Sequence, residues 1–268
     1  MPDTVHELER RRSDGVLTLV LNRPEVGNAF NGAMQRDLVD AFEGANGDSD
    51  VRVIVVTAAG TRHFCTGPDL RDPEKAPDPD RRSGDAARRL RVGSQRVVEA
   101  MLDCEKPVIC GLNGIAAGGG ANLVLAADLV IAAEHATIVE VFTRRGLIPD
   151  GGAAYLLARR LPPNVAKELV FFGEQLDMAT ARNLGLVNRV VPIDDLEPTL
   201  TAWASRLAAG PTRAYAASKQ LLNRTADDDR ASSFALEAVL VEQIASTADV
   251  AEGVAAFLER RAAKFEGR

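Results

Sequence analysis

Residues 113–132 read NGIAAGGGANLVLAADLVIA, and this stretch organises the rest of the chain. Three consecutive glycines, Gly118 to Gly120, stand directly before an apolar run, the pattern of a tight strand-to-helix turn. Such a turn leaves backbone N–H groups at the positive end of the helix, where negative charge developing on an oxygen is stabilised. It is no P-loop, because no Gly-Lys-Ser/Thr follows, and no dinucleotide fingerprint, because Leu123 stands where that pattern needs glycine. The surrounding apolar tract, residues 107–133, is broken by Asn113, Asn122, Asp128 and the glycines. It would strand polar groups in lipid, so no membrane span is expected.

Outward from this stretch, residues 15–21 (GVLTLVL) read as a strand ended by the Asn22-Arg23-Pro24 turn. Met34, Leu38, Ala41 and Phe42 recur at helical spacing behind a capping Asn31, which predicts a helix over 32–43. Residues 51–57 and 107–112 read as buried strands, and a further helix is expected over 152–160. Strands alternating with helices predict an α/β core. Residues 71–91, rich in Pro and Arg, read as a loop. Beyond Val191-Pro192 helical signals take over at 196–209, 212–223, 230–246 and 250–263. The expected division is an α/β body over 1–195 and a helical region over 196–268.

The chain has 268 residues, 46% of them hydrophobic, enough for a full core without disulfides or metals. Its 32 basic against 38 acidic residues leave a net charge of −6, so nucleic acid is not an expected partner. Cys65, Cys104 and Cys110 lie in or beside apolar runs and read as buried thiols in a reducing, cytoplasmic setting. His6, His63 and His135 stand apart without metal-ligand spacing, so no metal is expected.

Several motifs occur in order along the chain: LNRP (21–24), Asn28-Ala29, FCTGPDL (64–70), KPVI (106–109), the glycine stretch, GLIPDGG (146–152), ARNLGLVNRVV (181–191) and EGVAAFL (252–258). Together they resemble the crotonase superfamily, the enoyl-CoA hydratase and isomerase family, over essentially the whole chain. Residues 141–152 are most similar to its epoxyphenylacetyl-CoA isomerase-like branch. The resemblance implies a crotonase (ClpP-like) α/β spiral of β-β-α units whose C-terminal helices build a homotrimer or a dimer of trimers. It also implies an acyl-CoA thioester as substrate, with no separate cofactor, whose carbonyl oxygen lies between two backbone N–H groups.

Carried over position by position, one of those donors falls on Gly119 and the other on Pro68, which has no N–H to give. Losing one donor of this kind costs roughly 3 to 4 kcal/mol of barrier lowering. Thr66, a water or a displaced loop are the substitutes to consider. The two hydratase glutamates fall on Asn122 and Phe142, which cannot exchange protons at neutral pH. Glu140 lies two positions from Phe142 and reads as a surface or trimer-contact residue, with a share of the lost role as the alternative. Asp150 matches an aspartate that some members use catalytically, and its bare setting before a helix also suits a turn or cap. Around the CoA, the resemblance points to Thr66, Leu70 and Arg71, and to Phe257 and Arg260 from a neighbouring subunit. His63 and Cys65 read as structural. The expected activity is double-bond isomerisation of an enoyl-CoA, with enoyl-CoA hydration and a catalytically silent acyl-CoA binding protein as alternatives.

Overall fold

The computed structural model describes residues 6–71 and 82–268. Strands β1 (Leu8–Ser13) and β2 (Val16–Leu21) pair antiparallel through Asp14 and Gly15, both at positive φ. The chain then repeats one unit. A long strand is followed at once by a short one: β3 (Val53–Ala58) by β4 (His63–Cys65), β5 (Val108–Leu112) by β6 (Ile115–Ala117), and β7 (Leu129–Ala133) by β8 (Thr137–Val139). The long strands join β1, β2 and β10 (Arg189–Val191) in a six-stranded sheet, order β1-β2-β3-β5-β7-β10, parallel from β2 onward. The short ones form a second sheet, β4-β6-β8, extended antiparallel by β9 (Gln175–Asp177). Each unit therefore steps sideways in both sheets, which makes the β-β-α spiral. Every residue of β5 is buried, as a two-sided parallel strand should be.

Helix α1 (Gly32–Gly47) is capped by Asn31, whose Oδ1 accepts from the Met34 N–H at 2.9 Å. The expected loop over 71–91 is corrected at its described end, where Asp85–Leu90 is helical (α2) and leads through a wide turn into α3 (Arg96–Asp103). Helix α4 (Gly119–Ala126) is buried at every position. Next come α5 (Ala153–Arg160), α6 (Pro163–Phe172) and α7 (Met178–Asn183).

The compositional change near residue 195 marks where helices begin, and the first of them still covers the sheet. Helix α8 (Ile193–Ala208) buries Leu196, Leu200 and Ala204, and a Cβ on Gly111 of β5 would come within 2.4 Å of Leu200 Cδ1. Helices α9 (Thr212–Thr225), α10 (Arg230–Ala245) and α11 (Ala248–Glu259) follow. A buried Lys219 docks α9, its Nζ lying 2.9 Å from Asp128 Oδ2 and donating to the Met101 carbonyl at 3.1 Å. Phe234, Phe257 and Leu258 are left exposed on α10 and α11.

Candidate active site

Two turns meet at the C-terminal ends of the short strands. After β4, Gly67 takes φ 85° and the chain runs beside residue 30: the Phe30 N–H donates to the Gly67 carbonyl at 3.1 Å, and the Asp69 N–H to the Phe30 carbonyl at 3.0 Å. After β6, Gly118 takes φ 53° and ψ −118°, a conformation open only to glycine, and opens α4. The packing leaves no room for side chains. A Cβ on Gly120 would sit 2.0 Å from the Cys65 carbonyl oxygen, and one on Gly119 3.0 Å from Pro68 Cδ and 2.8 Å from Phe30 Cζ.

At this junction the Gly118 N–H is spent on the Val139 carbonyl at 2.9 Å, whereas the Gly119 N–H meets no acceptor among the described residues. As a first-turn helical amide it has no intrahelical partner. Beside it, Pro68 presents a ring methylene. The Thr66 hydroxyl donates to the Gly27 carbonyl at 3.3 Å, so it is engaged away from Gly119.

Asn122, one turn along α4, is almost wholly buried. Its Nδ2 donates to the Asp150 backbone carbonyl at 2.8 Å, and its Oδ1 has no partner among the described residues. The Asp150 carbonyl also accepts the Ala153 N–H at 3.1 Å, closing the turn into α5. Gly152, left-handed, occupies the cap position of that helix, so the Asp150 side chain is not the cap. Gly151 is wedged so closely that a Cβ would lie 3.0 Å from Asn122 Nδ2. The turn that carries Asp150 is thus pinned to α4 by Asn122. Phe142 is buried with its ring edge against Gly118.

Glu140 corrects the expectation of a surface residue. It is 1% exposed, and neither carboxylate oxygen has a hydrogen-bond partner among the described residues. Burial, and then the charge of Asp150, push its carboxyl up to about 7. Ile138, Val139, Glu140 and Phe142 are all buried, so this segment has no exposed face, and no alternation in the sequence separates Glu140 from its apolar neighbours.

Leu70 and Arg71 lie exposed at the rim, and Asp69 beneath them holds Arg71 by its backbone N–H at 3.0 Å and Arg23 by an ion pair at 3.1 Å. Those contacts, the backbone hydrogen bond first, keep the Asp69 carboxyl below the usual carboxylate range. Phe257 and Arg260 are not brought to the site by their own chain. Gly253 and Asp249 of α11 hold the last residues, and Arg52, at the N-terminal edge of β3, binds the Phe265 carbonyl at 3.3 Å. That is the opposite end of the sheet from the glycine turn. Cys65 is buried and its thiol is pushed up to about 12 by burial, which leaves no thiolate for nucleophilic chemistry. Cavities of about 540 and 670 Å³ open beside α9, away from these groups. No cluster of three or more His, Cys, Asp or Glu that could hold a metal occurs among the described residues, and no helix there is long and apolar enough to cross a membrane.

A β-β-α spiral of two sheets, with an unspent amide at the helix that follows its glycine turn, defines an α/β protein of the crotonase fold. Residues 11–268 match the enoyl-CoA hydratase/isomerase family, and the chain belongs to it. It is 38% identical, over 98% of its length and 99% of the relative's, to a protein of Rhodobacter capsulatus named "probable enoyl-CoA hydratase". It is 37% identical, over 95% of its length and 96% of the relative's, to the 1,2-epoxyphenylacetyl-CoA isomerase of Escherichia coli. A crystal structure of enoyl-CoA hydratase from Bacillus anthracis superposes with a TM-score of 0.90 at 28% identity, covering 98% of this chain and all 100% of that one.

Proposed function

We propose that the protein isomerises the double bond of an enoyl-CoA, with Asp150 as acid/base and the Gly119 N–H as oxyanion donor. A thioester α-proton is only weakly acidic, and a preorganised dipole aimed at the enolate oxygen lowers the barrier to its removal. A single carboxylate can take the proton from one carbon and return it to another. The observation that carries the reading is the Asn122–Asp150 bond, because it fixes the acidic residue one helical turn from the unspent Gly119 amide.

In this assignment the CoA thioester is the substrate and no resident cofactor takes part. Thr66, Leu70 and Arg71 form the near wall of its binding site, with Phe142 behind the glycine turn. Phe257 and Arg260, exposed and remote within one chain, serve the site of a neighbour, and the apolar surface around Phe234, Phe257 and Leu258 is covered in a homotrimer or dimer of trimers. Three free, buried cysteines suit a reducing cytoplasm.

Hydration is the second reading, favoured by one observation: the buried Glu140 could hold and activate a water in place of the missing pair of glutamates. Incubation with 3-enoyl-CoA and 2-enoyl-CoA panels separates the readings. Double-bond migration is expected, water addition would install the hydratase reading, and saturable binding without turnover would leave a silent acyl-CoA binder.

A further inference from the structure

We infer that Glu140 is a second proton-carrying residue of this site, paired with Asp150, so that the isomerisation passes through two carboxyl groups. The inference rests on the reading of Asp150 as acid/base. Glu140 directly follows the strand that holds the glycine turn. The carbonyl of the preceding Val139 accepts the Gly118 N–H at 2.9 Å, and the charge of Asp150 acts on its carboxyl. Both of its oxygens, like Asn122 Oδ1 on α4, are buried without a partner among the described residues. A packing role does not account for this, because an apolar side chain of similar volume would fill the space without burying a group that wants to ionise.

Among the described residues, the charged group that acts on Glu140 is Asp150. Arg144, on the turn after Phe142, directs its Nε to the Phe172 carbonyl at 3.1 Å, and Asn122 and Phe142 carry no charge. Two carboxyl groups of which one raises the other favour an arrangement in which one holds a proton while the other is ready to take one.

The steps balance. The Asp150 carboxylate removes a proton from C2 of a 3-enoyl thioester, and the electron pair of that C–H bond passes to the carbonyl oxygen as a dienolate held by Gly119. Glu140 delivers its proton to C4, the new C–H bond forms from the dienolate pair, and the double bond comes to rest between C2 and C3. Transfer of the proton from Asp150 to Glu140 restores both groups.

The test follows deuterium from C2-dideuterated 3-hexenoyl-CoA through a single turnover in ordinary water. In the wild type, C4 of the product is expected to gain hydrogen from Glu140, hence from solvent. Glu140→Gln should turn over about a hundredfold more slowly, move deuterium from C2 to C4 through Asp150 alone, and lose the decline in kcat expected of the wild type above about pH 7. Glu140→Met, which keeps the buried volume, should match it. A wild type that carries its own deuterium from C2 to C4, or a glutamine variant with the wild-type label pattern, overturns the inference. Asp150→Asn separates the two readings: residual wild-type turnover there removes the assignment of Asp150, whereas a dead Asp150→Asn beside an unaltered Glu140→Gln removes only that of Glu140.

Discussion

The side-chain amide of Asn122 donates to the backbone carbonyl of Asp150 at 2.8 Å, joining the helix that begins with Gly119 to the loop that carries the acidic residue. On the proposed assignment, one hydrogen bond across two elements remote in sequence ties the oxyanion donor Gly119 to the acid/base Asp150. Asn122→Asp removes the donor and puts a carboxylate against a carbonyl. We expect kcat to fall about 100-fold with a smaller change in KM, since a small misplacement of a reacting group costs that much. Steady-state kinetics check it, and a fall confined to KM would contradict a positioning role.

Pro68 packs its Cδ methylene against Gly119, 3.0 Å from where a Cβ would stand. Pro68→Ala restores an N–H in a backbone held by the Phe30 bonds, and kcat is expected to rise at least tenfold, against the 10²–10³ that one such donor contributes elsewhere. Turnover of a single 3-enoyl-CoA decides the matter. A lower kcat would show that the ring shapes the pocket for its own substrate.

The glycine turn tolerates no side chain. Gly120→Ala should fail to fold or lose several kcal/mol, because the added methyl meets the Cys65 backbone carbonyl, which cannot move aside. Gly119→Ala meets a proline ring and the tip of Phe30, which can shift, so about 1–3 kcal/mol is expected with activity lost first. Thermal melts and kinetics of the two variants give the order.

Glu140 predicts a pH-dependent stability. Its carboxyl is raised from 4.5 to about 7 in the folded chain, so between those values the folded state binds more protons than the unfolded one. Stability is then full below about pH 4.5, declines as pH rises through about 7 and levels off above, by roughly 3 kcal/mol. Glu140→Gln removes the titration. It should melt like the wild type near pH 4 and higher than it at pH 8, and equal melting temperatures at both values would mean that the carboxyl is solvated. A variant both more stable and slower is the signature of a group kept for chemistry.

Much of this was legible before folding. The strands at 15–21, 51–57 and 107–112 reveal themselves as apolar runs between turn residues, and Asn31 announces the start of α1, because these signals are local. The glycine turn was legible for the same reason. Residues 85–90 were missed because their helix carries little apolar periodicity, with no residue of it buried. Glu140 was misplaced because a glutamate ordinarily marks exposed chain, and its burial comes from segments distant in sequence.

By itself the sequence determined an α/β core and the glycine turn, which follow from side-chain patterns and backbone freedom over short stretches. The β-β-α spiral and the positions of Pro68, Asn122, Phe142 and Asp150 in it came from the resemblance to a known family. Only the tertiary structure decided what surrounds each of them: that Asn122 holds a backbone carbonyl, that Asp150 is not a helix cap, that Glu140 is buried without a partner among the described residues, and that Phe257 is left exposed. Burial and electrostatic coupling depend on which distant segments pack together, and no stretch of chain specifies its own neighbours.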